Sequence, residues 1–167
     1  ALKAKLLGLE TLYEYDRYAP LEESKACYDF ENSKQIVLDA FAKFNPKFFK
    51  VASTAFAQGW IDVFPQTKKR GGAFSHPATP STHPYVLLNH TDTRRDLFTL
   101  AHELGHAIHQ YLSRDVGYLG SDTPLTTSET ASVFAEMLVF DAIKEGLSMD
   151  EKRSLYASKI EDIFSKS

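Results

Sequence analysis

Residues 99–110 read TLAHELGHAIHQ. The stretch holds three of the chain's six histidines and a glycine inside an otherwise helical pattern. Leu97, Ala101, Leu104, Ile108 and Leu112 recur every three or four residues, which predicts a helix over 94–113 with these side chains on its packing face. At about 100° per residue, His102 and His106 lie one turn apart, on the side roughly opposite that stripe. Two imidazoles so placed can reach one ion. Glu103 lies about 100° round from His102. That is too far round for an equivalent ligand, but right for touching a water held on a metal, which is the physical content of the HExxH pattern. The competing reading is three solvated or hydrogen-bonded histidines. Gly105 costs about 1 kcal/mol relative to alanine inside a helix, which implies that a second backbone packs closely there.

A catalytic zinc site takes three protein ligands and keeps a fourth position open. His109 is on the same face, but about 10 Å along the axis from His102. One ion does not easily span that, so His109 is read as an outer or structural histidine. The next helical stretch, 127–146, is the better source. From Ala131 to Phe140 it is apolar nearly all round apart from Ser132 and Glu136, the pattern of a buried helix. Glu129 and Glu136 are seven residues apart and nearly on one line. Buried carboxylates need partners. Glu129 as third ligand, and Glu136 behind a ligand imidazole, would satisfy both. For Glu129 the alternative is a first-turn carboxylate favoured by the helix dipole.

Outward from the motif, ALKAKLLGLETLYE (1–14) has leucines at helical spacing, interrupted by Gly8. YDRYAPLEES (15–24) reads as a turn or link around Pro20. ENSKQIVLDAFAKF (31–44) predicts an amphipathic helix capped by Asn or Ser, with Ile36, Val37, Ala40, Phe41 and Phe44 on one face. Pro46 starts another helix over 46–58, and Gly59 ends it. WIDVFP (60–65), GGAFSH (71–76) and YVLLN (85–89) are strand candidates, and HPATPSTHP (76–84) must be a loop. Thr93 with Asp96 resembles a capping box. Residues 114–127 read as loop, 128–145 as a long helix ended by Gly146, and 149–165 as a third. The expected fold is mainly α with a small β-sheet, in a single domain over 1–167.

Composition agrees with a soluble globular protein: 43% hydrophobic and 25% charged residues over 167 positions, with a net charge of −3. The one basic cluster, Lys68-Lys69-Arg70, is too short for a nucleic-acid footprint and reads as a surface turn. No apolar run approaches the ~18 residues of a membrane span, and no signal-peptide layout is present. The single cysteine, Cys27, excludes an internal disulfide and fits a reducing compartment.

HELGHAIH followed by TSETASVFAEML resembles the zinc-binding core of the thimet-oligopeptidase family of zinc peptidases, in its oligoendopeptidase F branch. YDRYAPL (15–21), KRGGAF (69–74) and the strand before the HExxH helix fit the same family, so the likeness spans nearly the whole chain. The resemblance implies a gluzincin-type catalytic core, one Zn2+ per chain on His102, His106 and Glu129, and Glu103 as general base. It implies cytoplasmic cleavage of short peptides within a larger, mostly helical catalytic domain, with the remainder of the parent chain as a partner. Gly71, Gly72, Ala73 and Phe74 would belong to an edge strand that pairs with the substrate backbone. The family's tyrosine- and histidine-rich oxyanion segment has no counterpart here, so the chain alone is expected to be weak or inactive. The alternatives are a zinc carboxypeptidase or dipeptidyl carboxypeptidase on a similar scaffold, or a non-catalytic zinc-holding domain.

Overall fold

A computed structural model describes residues 4–5, 8–11, 13–16 and 27–165, with side chains described as far as residue 160. Its residues fall into two compact units, Ala26–Ile143 and Ala1–Lys25 with Lys144–Ser167.

In the larger unit, helix α1 spans Phe30–Phe44. Its cap is Asp29, three and four residues before the asparagine and serine that the sequence offered: the Asp29 carboxylate accepts from Asn32 N–H at 2.8 Å. Helix α2 spans Pro46–Ala57. Asn45 serves both helices. Its backbone N–H closes α1 on Phe41 O, and its side chain accepts from Lys47 N–H at 2.8 Å. Its extended conformation (φ −160°, ψ 130°) turns the chain, and Pro46 brings a φ already suited to a first helical turn.

The strands are shorter than expected: β1 is Ile61–Asp62, β2 Phe74–His76 and β3 Tyr85–Leu87. They form one sheet in the order β1-β3-β2. β1 runs parallel to β3, with Ile61 opposite Val86. β2 runs antiparallel to β3, with Ser75 opposite Val86. After β1 the chain reaches Pro65, which has no N–H to give to a ladder. Before β2, Gly72 takes φ +81°, so Gly71–Ala73 form a bend rather than strand. Asn89 ties that bend down, its side-chain amide donating to Arg70 O at 3.0 Å and Gly72 O at 2.8 Å.

The basic cluster is not a free surface patch. Lys69 is folded in, with its side chain 6% exposed, and forms an ion pair with Asp62 at 2.9 Å. Its ammonium also donates to the carbonyls of Asp62 and Phe64. Loop 76–84 is held by rings: His83 stacks on buried Trp60 at 4.7 Å, and Trp60 on Tyr111 at 5.4 Å. Arg114 then donates to Thr82 O at 2.9 Å.

Helix α3 spans Arg94–Ser113, and its capping box is complete. Asp96 accepts from both the N–H and the hydroxyl of Thr91 and Thr93. Leu97, Leu100, Ala101, Leu104 and Ile108 are buried with Val37, Phe41, Ala52, Trp60, Val86 and Leu88 in the unit's core. Each large aliphatic side chain removed from water contributes about 1.5–3 kcal/mol. Leu112 and Phe44, expected on packing faces, are exposed. Each sits in the last turn of its helix; Phe44 still meets Phe48 and Phe134 edge to face, ring centroids 5.1 and 4.9 Å apart. The expected loop 114–127 contains a 3-10 turn at Arg114–Val116 and a one-turn helix, α4, at Tyr118–Ser121. Helix α5 then runs Leu125–Lys144 and buries Ser132, Ala135, Glu136, Val139 and Phe140.

In the smaller unit, helix α6 spans Met149–Ser165. Ser148 and Glu151 exchange capping hydrogen bonds at its start, and Leu155 is its buried contact. Of the leucine-rich stretch 1–14, residues 4–5 are helical and Gly8 turns the chain at φ +68°. The expectations for Leu2, Leu6, Leu7 and Leu12 lie outside the described residues, as does most of YDRYAPL. No helix among the described residues is long and apolar enough to cross a membrane.

Candidate metal centre

The site begins with a close helix crossing. A Cβ added at Gly105 would stand 2.8 Å from each of Ala131 O, Ser132 Cα and Ala135 Cβ. No real Cβ tolerates that, so the glycine lets the backbones of α3 and α5 meet. At this crossing His102 and His106 face Glu129.

The two imidazoles lie edge to face, ring centroids 4.8 Å apart. His102 Nε2 is 3.4 Å from one Glu129 carboxylate oxygen, and His106 Nε2 is 3.7 Å from the other. One donor atom from each of the three residues lies within 4.8 Å of the others, the one such cluster among the described residues. The opposite ring nitrogens are engaged. His102 Nδ1 stands 2.5 Å from Glu136 Oε1, and His106 Nδ1 stands 3.0 Å from Ser128 Oγ. A carboxylate only accepts, so His102 carries its proton on Nδ1 and leaves Nε2 as a lone-pair donor toward Glu129. Ser132 is wholly buried and donates to Glu129, to its backbone carbonyl at 3.0 Å and its Oε2 at 3.1 Å. Burial, and then the neighbouring His102, hold the His106 imidazole below its ordinary pKa, with Glu129 pulling the other way. The neutral form so favoured is the one that ligates a metal.

Two nitrogens and a carboxylate converging from two rigid helices are a donor set suited to zinc. The histidine side chains are 16% and 12% exposed, whereas that of Glu129 is 45% exposed. The cluster is therefore closed from below and open on the carboxylate side, as a fourth, exchangeable position requires.

Glu103 lies on α3 beside His102 and is buried at 7% exposure. His109, one turn beyond His106, stands outside the donor cluster. Its Nδ1 is enclosed and has no hydrogen-bond partner. Of the edge-strand candidates, Phe74 lies in β2, and Gly71, Gly72 and Ala73 lie in the bend before it. β2 is a terminal strand of the sheet. Val86 N–H is bonded to Trp60 O, on the β1 side, so its β2 partner Ser75 turns its backbone groups to the free edge. Gln110, from α3, meets that edge. Its amide accepts from Ser75 Oγ at 2.8 Å and donates to Ser75 O at 3.3 Å.

Ser128, Ser132 and Gln110 had not been singled out from the sequence. Ser132 and Glu136 share the Glu129 face of α5 by spacing, which is a readable signal. Ser128 and Gln110 carry no such mark, because their partners lie 22 and 35 positions away in the chain.

Comparison with known proteins agrees with this geometry. The chain is 33% identical over 153 residues to an oligoendopeptidase F homolog of Lactococcus lactis, covering 91% of this chain and 25% of that protein. It is 32% identical over 158 residues to the oligopeptidase PepF of Bacillus subtilis, covering 93% of this chain and 23% of that one. A solved structure of a Chlamydophila abortus protein described as a peptidase superposes with TM-score 0.82 at 34% identity, over 98% of this chain and 28% of its own. The chain thus spans about a quarter of the length of the curated relatives it matches. The family model for peptidase family M3 matches residues 1–167 from end to end, and the chain belongs to peptidase family M3.

Proposed function

We propose that this chain carries the metal centre and general base of a zinc endopeptidase that hydrolyses short peptides. The observation that carries the reading is the convergence of His102 Nε2, His106 Nε2 and Glu129 within 4.8 Å, on a side open to solvent. A zinc ion held there would lower the pKa of a bound water and polarise the scissile carbonyl. His102 and His106 present neutral Nε2 lone pairs, and Glu129 supplies the anionic ligand. Glu103, next to His102 on the same helix, accepts the proton of the attacking water and passes it to the departing amine.

Substrate backbone would lie along the free edge of β2, adding a strand to the sheet. The outward-facing backbone of Ser75 marks that edge, and Gln110 of α3 ties Ser75 to the helix that carries the two histidines. The relatives named for oligopeptidase activity support short peptides as the substrate class. A purely structural zinc site would prefer four closed ligands and would have no use for Glu103.

The experiment is zinc content after loading and desalting, for the chain and for Glu129→Gln. About one zinc per chain, sharply reduced in the variant, is the expected result. Equal zinc in both would remove Glu129 from the ligand set, and no zinc in either would remove the site.

A further inference from the structure

Helix α5 contributes more than the third ligand. Three of its other side chains hold the ligands in place: Glu136 on His102, Ser132 on Glu129, and Ser128 on His106. The two histidines are therefore not equivalent. His102 is backed by a buried carboxylate, whereas His106 is backed by a hydroxyl.

Resting on the zinc reading above, we infer that Ser128 is a positioning residue for the metal: its hydroxyl accepts the Nδ1 proton of His106 and so fixes the tautomer that turns Nε2 to the ion. Three observations carry this. The Oγ–Nδ1 distance is 3.0 Å, a normal hydrogen bond. The Nε2 of the same ring faces Glu129 across the donor cluster, so a metal held there would take Nε2 and leave Nδ1 to carry the ring proton. The bond also joins the two helices at the opposite end of the cluster from Glu136, so the pair of outer bonds sets the rotation of both rings. A hydroxyl is a weaker acceptor than a carboxylate, which makes His106 the less tightly oriented of the two histidines.

The rival is the backbone of Ser128, which also favours a proton on this imidazole. If its carbonyl orients the ring, the hydroxyl is dispensable. Ser128→Val and Ser128→Thr separate the two, being nearly isosteric and differing in the hydroxyl alone. Ser128→Ala adds a smaller side chain.

The test is a zinc titration of the 167-residue chain against a chromophoric chelator, with long-range nitrogen–proton NMR of the histidine rings in the metal-free chain to read the tautomers. Loss of an outer partner of this kind typically weakens metal binding about 10–100-fold. That loss is expected for Ser128→Val and Ser128→Ala, with partial population of the Nε2–H tautomer at His106 in the metal-free chain. Ser128→Thr should bind like the wild type. If Val and Thr variants bind zinc equally and His106 keeps its Nδ1 proton in both, the hydroxyl has no positioning role. Should Ser128→Ala not fold, the Val/Thr pair carries the comparison alone. A wild-type chain that takes up no zinc fails before any variant is compared, and takes the metal reading down together with this one.

Discussion

At the residue scale, each proposed ligand is held by a neighbour of a different kind. His102 is half-buried and would be free to rotate or to carry its proton on either nitrogen, were it not for Glu136. Removing that carboxylate with Glu136→Ala leaves a buried Nδ1–H without its acceptor. Zinc affinity is expected to fall at least as far as for the loss of Ser128, about 10–100-fold or more, by the same chelator titration. Glu103→Gln behaves differently, because this residue is not among the donor atoms. It should leave zinc content unchanged while removing turnover in the full-length peptidase. Retained turnover there would take Glu103 out of its proposed role. The placing of His102, Glu103 and His106 on one turn of α3 was legible in the spacing H-E-x-x-H, since helix periodicity alone sets it. The pairing of Ser128 with His106 was not, because no local rule says which face of α5 meets which turn of α3.

At the scale of elements, the helix crossing decides the site. Gly105 is tolerated inside α3 because α5 occupies the space a side chain would need. Gly105→Ala gains about 1 kcal/mol of helix propensity, but must move backbone atoms that stand 2.8 Å from the new Cβ. Overpacking of this kind costs about 1–3 kcal/mol. The expected outcome is a lower denaturation midpoint together with weaker zinc binding, since the same displacement carries Glu129 away from the histidines. A variant that is more stable, with zinc binding intact, would show that the crossing is not tight. The start of α3 makes a second prediction. Burial pushes the Asp96 carboxyl up, yet hydrogen bonds from Thr93 and Thr91 outweigh it and hold the group below its ordinary value. A carboxyl lowered in the folded state adds stability above its unfolded pKa and loses it as pH falls through the folded value. Asp96→Ala should therefore cost about 1 kcal/mol near neutral pH. The gap to wild type should close as the pH drops below about 4, the ordinary carboxylate range. Urea unfolding of both proteins across that range measures it, and a gap independent of pH would rule out the ionised cap as the cause.

At the scale of the whole molecule, a mainly helical chain with a three-stranded sheet brings His102, His106 and Glu129 into one donor cluster. The donor residues come from α3 and α5, and the edge proposed for substrate from β2. The chain spans about a quarter of its curated relatives, and large apolar side chains from α4 and the first turn of α5 are exposed, among them Leu119 at 94% and Leu125 at 75%. Exposed apolar surface of this extent ordinarily marks a contact. The isolated chain is expected to bind zinc yet to cleave a short peptide more slowly than a full-length relative by about 10²–10³-fold, the usual effect of a missing oxyanion donor. Turnover at the rate of a full-length relative, measured on the same peptide, would show that these residues already contain the whole machinery.

What the sequence determined by itself is what depends on near neighbours along the chain. The extents of α3 and α6, the capping box at Thr93 and Asp96, and the turn of histidines follow from periodicity and local hydrogen bonding. So does the double role of position 45, where asparagine precedes proline. Strand length was misjudged, because Pro65 and the bend at Gly72 cut short two stretches whose composition suits a strand. Lys69 was misjudged too, since its burial depends on the distant carbonyls and carboxylate that receive it. The tertiary structure alone decided that α5 crosses α3 at Gly105, that Ser128 faces His106, and that Gln110 reaches Ser75. Those contacts join residues far apart in the chain, and their geometry is set by how the two helices and the sheet fill one core.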